Sequence, residues 1–257
     1  MPETAYIPSE ENVELTHLYG GNVHILSDRW ALSLLARLGH EDTQTIALHN
    51  LIEAGYRRLL RAISNHLPKR VATIPTRMAA LSPHGHFHGT IIDPTHDVVI
   101  VDVARAGILP SHVLQQELLL LLENDKVRVD HVYMQRVVSE ETGEVVGTDL
   151  AGSKIAGPVE GRTLIIPDPM GATGGSICHV IDHYKRTIGT PGQIIVAHMM
   201  VTPEYIKRVT TEHPEVIIYA LRVDRGGSSE DVLATVPGTR WDEEVGLTDI
   251  HYIIPGA

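Results

Sequence analysis

The chain contains little that suits an oxidising compartment, a membrane or a nucleic acid. It has one cysteine, Cys178, among 257 residues, so no disulfide bond can form within the chain and the reducing cytoplasm is the expected compartment. Its apolar runs fall well short of the roughly 20 residues that a membrane helix needs, and its N-terminal residues lack the basic and apolar regions of a signal peptide. A formal net charge of −11 argues against nucleic acids and anionic membranes. We therefore expect a cytoplasmic protein whose partners include neither a membrane nor a nucleic acid.

The residues that are present indicate a globular α/β protein. The hydrophobic share is 43% and the charged share is 21%, as in globular proteins generally. Apolar runs alternate with helical patterns over residues 98–223, which predicts an α/β fold with a doubly wound, mainly parallel sheet. The run at residues 98–103 is typical of a strand that is buried on both faces. A turn signal at residues 140–144 predicts a projecting hairpin over residues 133–155.

We expect the chain, residues 1–257, to form a single domain. Residues 1–70 would supply an N-terminal arm and helices that pack on the core, and residues 226–257 would supply a C-terminal segment. These terminal segments would together form a small hood. We expect an irregular conformation over residues 79–97 and a short strand at residues 251–254.

A glycine-rich stretch in the second half of the chain has the pattern of an anion site. An apolar run at residues 164–166 ends at Asp168, and a loop with Gly171, Gly174 and Gly175 leads into a helical pattern. Glycines let the backbone approach a ligand closely, and the unpaired N–H groups of the first helical turn point at it. The loop lacks the lysine of a P-loop. We predict a phosphate on residues 173–176, with Asp168 accepting hydrogen bonds from a sugar.

The same stretch carries a resemblance to a known family. The letters DPMGATGGS, residues 168–176, resemble the phosphoribosyl pyrophosphate loop of the uracil phosphoribosyltransferase family, Asp-Pro-Met-x-Ala-Thr-Gly-Gly-Ser. The resemblance implies a type I phosphoribosyltransferase fold, with ribose hydroxyls on Asp168 and the ribose phosphate on residues 173–176. It assigns the binding of phosphoribosyl pyrophosphate in this loop to Asp168, Pro169, Met170, Gly171, Ala172, Thr173, Gly174, Gly175 and Ser176.

Three further stretches follow in the family's order. ARAGI, residues 104–108, resembles the family's Leu-Arg-Ala-Gly-Leu, which implies that Arg105, Ala106 and Gly107 bind pyrophosphate. HVYMQR, residues 131–136, resembles the strand that carries a second pyrophosphate-binding arginine, here Arg136, although Gln135 replaces the family's tyrosine. The resemblance thus makes Arg105, Arg136 and Asp168 the catalytic residues. GLTDIHYIIPG, residues 246–256, resembles the family's base-binding segment, which implies nucleobase contacts from Tyr252, Ile253, Ile254 and Gly256.

The resemblance implies an activity, its substrates and a metal ion. The expected reaction joins uracil to phosphoribosyl pyrophosphate, giving UMP and pyrophosphate in pyrimidine salvage. Cations on the pyrophosphate and an acid near the sugar suit this chemistry. Mg²⁺ would bind mainly through phosphoribosyl pyrophosphate, so no dedicated set of protein metal ligands is expected. The resemblance also implies a homodimer or a higher homo-oligomer.

Two alternatives follow from departures on the base side. The chain stops at Ala257, whereas the family continues with Gly-Asp-Ala-Gly-Asp-Arg, and residues 226–245 are an insertion relative to the family's short Asp-Glu-Gly-Leu link. One alternative is a phosphoribosyltransferase for another nucleobase. The other is a non-catalytic sensor that binds phosphoribosyl pyrophosphate or a nucleotide.

Three side-chain features have plainer interpretations than a second site. The histidines of HGHFH, His84, His86 and His88, lack a matching set of cysteines or carboxylates, so we predict a solvated loop or hairpin rather than a metal site. Cys178 is predicted to be a small core residue. Trp241, in the insertion, is open to two interpretations, a cover for the base site or part of an interface.

Overall fold

The structure is a computed structural model that describes the backbone of residues 13–138 and 145–257 and, outside residues 136–149, their side chains. Its strands are β1 (Val23–Ile25), β2 (Lys69–Pro75), β3 (His86–Ile92), β4 (Val98–Ala104), β5 (Val127–Val138), β6 (Val145–Lys154), β7 (Thr163–Pro167), β8 (Met170–Gly171), β9 (Gln193–His198), β10 (Met200–Val201) and β11 (Ile217–Ala220). Its α-helices are α1 (Arg29–Leu38), α2 (Thr45–Ile63), α3 (Ile108–Leu118), α4 (Gly175–His183), α5 (Pro203–Glu212) and α6 (Glu230–Leu233). Short 3₁₀ turns occur at Ser64–His66, Asn124–Lys126 and Trp241–Glu243, and a π-helical turn, Tyr184–Ile188, extends α4.

The main sheet is nearly all parallel. In the described part of the chain it has seven strands in the order β1-β11-β9-β7-β4-β5-β6. Each neighbouring pair is parallel except β5 and β6, which are antiparallel. The predicted strand at residues 98–103 is β4, and each of these residues is buried. This sheet confirms the predicted α/β class with a mainly parallel arrangement.

Helices cover both faces of the sheet, as the predicted double winding requires. One apolar cluster joins the sheet to α1, α2 and α3, and a second joins it to α4 and α5. Along β4, Ile100 belongs to the first cluster, whereas Val99 and Val101 belong to the second. The alternation arises because successive side chains of a strand point to opposite faces. Within the described residues, no helix combines the length and the apolar composition needed to cross a membrane.

The projecting hairpin is confirmed over its described part. Strands β5 and β6 pair in antiparallel fashion from His131 opposite Lys154 to Val138 opposite Val145, with irregularities of register along the way. The predicted turn at residues 140–144 lies outside the described residues. The first half of β5 pairs with β4 in the sheet, and its second half forms the hairpin with β6. The hairpin therefore extends beyond the carboxyl end of β4.

Two local expectations are wrong. Residues 79–97 are not irregular throughout, because β3 forms a seven-residue antiparallel ladder with β2. No residue of β3 is fully buried, so the strand has little apolar packing to mark it in the sequence. Of the two predictions for the histidines, a solvated loop or a hairpin, the structure shows the hairpin at His86 and His88. Residues 251–254 are not a strand: they make a single antiparallel bridge, between Ile253 and Leu247. The turn at His251, whose φ is 63°, prevents a longer ladder.

Candidate functional site

The predicted site residues follow the carboxyl ends of two neighbouring strands. Arg105 follows β4 and Asp168 follows β7, and these strands are hydrogen-bonded to each other in parallel. The next strand, β9, ends at His198 beside them. Ligands of doubly wound sheets bind beyond this edge. The topology therefore brings together two stretches that are about sixty residues apart in the sequence.

The phosphate loop, residues 168–176, has the backbone geometry of an anion site. Gly174 is the N-cap of α4 with a φ of 77°, a left-handed conformation that favours glycine. The first hydrogen bond of the helix runs from the Cys178 N–H to the Gly174 carbonyl, so the N–H groups of Gly175, Ser176 and Ile177 have no intrahelical acceptor. These donors and the helix dipole attract a phosphate.

A small cavity lies over this loop. Its volume is about 110 Å³. Arg208 of α5 borders the loop with its guanidinium. Its Nη1 atom is so close to Gly175 that a Cβ added there would lie 3.0 Å from it. The guanidinium of Arg208 also pairs with Glu212 through its Nε atom at 2.8 Å. The cavity is lined by Asp168, Met170, Ala172, Thr173, Gly174, Gly175, Ser176, Ile177 and Tyr205.

The Asp168 carboxylate is held by a backbone N–H two residues further along the loop. One carboxylate oxygen accepts a hydrogen bond from the Met170 N–H at 3.1 Å. Burial nevertheless raises the pKa of Asp168 to about 6, with the Met170 N–H acting in the opposite direction. The carboxylate is thus ionised above about pH 6 and is held at an energetic cost, which a hydroxyl-rich ligand would reduce by donating hydrogen bonds.

A histidine and a tyrosine support Asp168 from behind. The Asp168 carbonyl can only accept, so Nδ1 of His198 donates to it, at 2.6 Å. Nε2 of His198 then accepts from the Tyr205 hydroxyl, also at 2.6 Å. Burial lowers the pKa of His198 to about 4, so the ring is neutral and this tautomer is fixed. The pair orients the backbone that carries the acid.

The ARAGI stretch forms a tight turn between β4 and α3. Its peptide bond between Ala104 and Arg105 is cis, and the Arg105 side chain is exposed. A Cβ at Gly107 would lie 2.7 Å from the Val103 nitrogen, so this turn requires glycine. Ala106 is also exposed, leaving the turn open to a ligand.

For the second predicted arginine, Arg136, the structure gives the position of the backbone alone. Arg136 lies in β5, opposite Thr148 of β6, on the hairpin that borders β4. The Arg136 side chain is not among those that the structure describes, so its contact with pyrophosphate stays a prediction.

The predicted base-binding segment folds back on itself. Ile254 donates its N–H to the Gly246 carbonyl at 2.8 Å, and Thr248 donates to the Tyr252 carbonyl at 2.8 Å. These two bonds flank the bridge between Leu247 and Ile253, which is therefore a non-hydrogen-bonded pair. The N–H and C=O of Ile253 point away from Leu247 as a result.

A buried ion pair holds the end of this segment. Asp224, which is 1% exposed, accepts from the Gly256 N–H at 3.0 Å and from the guanidinium of Arg222. Arg222 in turn donates to the Gly256 carbonyl at 2.9 Å. Tyr252 is exposed, whereas Ile253 packs on the core cluster beneath α1 and α2.

Sequence reasoning missed four residues at the site: His198, Thr202, Tyr205 and Arg208. Thr202 binds the phosphate loop twice, through its N–H to Gly171 at 3.0 Å and its hydroxyl to Ala172 at 2.6 Å. Its Oγ1 also accepts from the Tyr205 N–H as the N-cap of α5. The Thr202-Pro dipeptide is a helix-start signal that was available in the sequence. Nothing local points to His198 or Arg208.

The insertion, residues 226–245, contacts the N-terminal arm and also the predicted base-binding segment, where the Gly226 N–H donates to the Ile254 carbonyl at 3.0 Å. Trp241 donates from Nε1 to the Pro203 carbonyl at 3.0 Å and packs edge-on against Tyr19, so it packs under the N-terminal arm. Glu244 accepts from the Tyr19 hydroxyl and pairs with Arg225. Residues 226–245 therefore tie the N-terminal arm to the end of the sheet.

A parallel sheet with a glycine-rich loop and an acid at the end of a strand is the arrangement expected of a phosphoribosyltransferase. The chain belongs to the uracil phosphoribosyltransferase family, whose family model matches residues 25–239. The uracil phosphoribosyltransferase of Pyrobaculum arsenaticum is 32% identical over 203 residues, which cover 79% of this chain and 88% of that protein. That of Pyrobaculum islandicum is 30% identical over 217 residues, covering 84% and 94%.

A solved structure shares the fold. The AQ2163 protein from Aquifex aeolicus superposes with a TM-score of 0.64 at 22% identity, over 91% of this chain and 93% of that one. At this identity the likeness concerns the fold alone.

Proposed function

We propose that this protein transfers the phosphoribosyl group of phosphoribosyl pyrophosphate to uracil, giving UMP and pyrophosphate for pyrimidine salvage. The observation that carries the proposal is the phosphate loop, with three open N–H groups at the start of α4 and Asp168 at the end of β7. The ribose phosphate would bind these N–H groups with Arg208 alongside. The uracil named in the family and in its relatives supplies the choice of base.

In the proposed reaction the bond from C1′ to the pyrophosphate oxygen breaks and a bond from C1′ to N1 of uracil forms. The N1 proton of uracil is lost, and the released pyrophosphate keeps the electron pair. The sugar carries positive charge at the transition state, which the ionised Asp168 stabilises while it binds the ribose hydroxyls. Arg105, exposed after β4, and Arg136 take up the charge of the pyrophosphate.

The residues at the site fit a Mg²⁺ ion bound mainly through the substrate. Mg²⁺ prefers oxygen ligands and needs only one or two carboxylates beside substrate phosphates. Asp168 has one carboxylate oxygen on the Met170 N–H and lines the cavity over the loop, so its other oxygen suits this role. When bound, the ion would neutralise charge on the pyrophosphate.

The backbone of Ile253 offers one donor and one acceptor, which suits the edge of a pyrimidine that presents an acceptor and a donor side by side. Its N–H and C=O lie on the side of the segment that faces away from Leu247. An N–H and a C=O on the base would complement this pair. Tyr252 and Ile254 have their carbonyls in bonds to Thr248 and Gly226, so Ile253 is the residue that reads the base in this proposal.

We further propose a cytoplasmic homodimer or higher homo-oligomer. Exposed apolar side chains on α1 and α2, those of Trp30, Leu32 and Ile46, offer a surface for self-association. Light scattering after gel filtration measures the assembly state.

The test is an assay of the full chain with labelled phosphoribosyl pyrophosphate, Mg²⁺ and uracil, with cytosine, hypoxanthine and adenine in parallel. The expected result is that uracil gives UMP and that the other three bases give no product. Turnover of another base only would replace uracil in the proposal. Stabilisation by phosphoribosyl pyrophosphate without turnover of any base would contradict catalysis and leave a sensor. Asp168→Asn is the inactive control.

A further inference from the structure

A second cluster of ligand-type side chains lies behind the phosphate loop. Cys178 is in the second turn of α4, Glu212 ends α5, and His213 follows it. One ligand atom from each of the three lies within 4.8 Å of the others. Among the residues that the structure describes, this is the one group of three such side chains with that spacing. None of the three residues is a predicted substrate contact, although Glu212 pairs with Arg208, which borders the phosphate loop.

His213 has a buried nitrogen with no partner. The residue is 4% exposed, and its Nδ1 lies 3.1 Å from Nζ of Lys185. An ammonium can only donate, so Nδ1 accepts and the ring proton is on Nε2. In the described part of the chain Nε2 has no hydrogen-bond partner, although Oδ1 of Asp182 lies 3.8 Å away. Such a buried group is rare and costly, and a ligand would satisfy it.

The chemistry of the cluster favours a borderline-soft cation. A thiolate, an imidazole and a carboxylate are the ligand types of Zn²⁺, whereas Mg²⁺ prefers oxygen alone. Zn²⁺ bonds of about 2.0 to 2.3 Å require ligand atoms roughly 3.5 Å apart, so the cluster has to contract by about 1 Å. The Glu212 side chain is 43% exposed and is held mainly by Arg208, which leaves it room to turn.

We propose that Cys178, Glu212 and His213 bind Zn²⁺, with Asp182 as the nearest fourth ligand. On binding, the Cys178 thiol releases its proton to solvent and the sulfur takes its place on the metal. The His213 proton moves from Nε2 to Nδ1, so the Lys185 ammonium gives up its hydrogen bond to Nδ1 and keeps its pairing with Glu215. The metal keeps its oxidation state throughout. The proposal does not depend on the transferase reaction.

The position of the cluster gives such an ion a structural consequence. Cys178 donates its N–H to the Gly174 carbonyl, so it is one turn from the phosphate loop. Glu212 carries the partner of Arg208, the cation that borders the loop. Zn²⁺ would tie α4 to the end of α5.

The test titrates the chelator-treated full chain with Zn²⁺ alone by calorimetry and with Co²⁺ alone by absorption. The expected results are one Zn²⁺ per chain and a sulfur-to-cobalt charge-transfer band. Cys178→Ser should remove the band, and Cys178→Ser and His213→Gln should each weaken Zn²⁺ binding at least about tenfold. Glu212→Gln changes an exposed side chain, so its weaker binding cannot be attributed to misfolding.

The matched control is His183→Gln, which removes a histidine of the same helix outside the cluster and should leave Zn²⁺ binding unchanged. A Co²⁺ complex without the charge-transfer band overturns the proposal. So does an affinity that is unaffected by Cys178→Ser and Glu212→Gln, or one that His183→Gln lowers equally. Circular dichroism of each variant checks the fold.

Discussion

The phosphate side and the base side of this molecule are built in different ways. The phosphate loop is nine consecutive residues with three glycines that lead into the start of α4, and Thr202 supports it from outside. The base-side segment, residues 246–256, is held by Arg222, Asp224 and Gly226, which lie more than twenty residues earlier. The N–H groups of Gly175, Ser176 and Ile177 at the start of α4 have no intrahelical acceptor, whereas several backbone groups of the base-side segment bond to the protein.

The difference explains why one half of the site is readable as a motif. A loop that binds through backbone N–H groups needs only residues that allow its conformation, and those residues are adjacent. A segment positioned by a buried ion pair needs partners that the sequence does not mark. If this segment binds the base as proposed, the identity of the base depends on a few distant contacts, and changes there would alter the base while the phosphate loop stays intact.

The strongest test of the comparison is Asp168→Asn. We expect phosphoribosyl transfer to fall at least about 100-fold, because the amide carries no charge for the ribose at the transition state. The same change should raise the free energy of unfolding at pH 8 by about 1 to 2 kcal/mol, since it removes a carboxylate whose pKa burial raises to about 6. Assay and urea unfolding measure the two effects. Asp242→Asn, at an exposed carboxylate, should change neither.

The next largest effect concerns the pH dependence of ligand binding and of stability that Asp168 confers. Because the pKa of Asp168 is about 6, affinity for phosphoribosyl pyrophosphate should fall by up to about tenfold per unit below pH 6 as the carboxylate is protonated. The stability contribution has the opposite sign: the folded protein holds this proton more tightly, so the contribution is present below about pH 4 and lost as pH rises through 6. Asp168→Asn should remove both dependences, while titration of the ligand phosphate persists. Equal pH profiles for the two proteins would count against the assignment.

On the base side, Asp224→Asn should lower the free energy of unfolding by about 2 to 3 kcal/mol, since Arg222 loses its buried partner. We expect the KM for the base to rise, while binding of phosphoribosyl pyrophosphate measured without a base stays the same. A loss of phosphate affinity instead would show that the two sides are not independent.

On the phosphate side, Gly174→Ala should cost about 1 to 2 kcal/mol, because a Cβ disfavours the φ of 77°. Affinity for phosphoribosyl pyrophosphate should fall and the KM for the base should not. Gly21→Ala is the matched control, since its φ is ordinary and its Cβ would contact nothing within 4 Å. Thermal unfolding and ligand titration of both variants check this prediction.

The smallest expected effect concerns Thr202, which links the phosphate loop to α5. Thr202→Val keeps the shape and removes the hydroxyl bonds to Ala172 and Tyr205, at a cost of about 1 kcal/mol. Thr211→Val, on the exposed end of the same helix, should change stability by less than about 0.5 kcal/mol. Equal effects in denaturant unfolding would mean that Thr202 does not hold the loop.

Several elements were predictable because their causes are close in sequence. The Asp28 N-cap and Gly39 bound α1, and the apolar run of residues 98–103 had to be an interior strand of a parallel sheet. By contrast, β1 is three residues long and exists because β11 pairs with it. Strand β3 was missed for the same reason, since its histidines give no apolar alternation and its ladder depends on β2.

The residues of the phosphate loop already specify an anion site, because glycine conformation, an acid at a strand end and an open helical turn are properties of neighbouring residues. Their family pattern extends this to a sugar phosphate. The sequence order does not show that His198 would hold the Asp168 carbonyl, that Arg208 would border Gly175, or that His213 would meet Cys178. Those contacts arise when β9 and α5 pack beside β7 and α4, because side chains distant in the chain become neighbours only through the pairing of strands and the packing of helices.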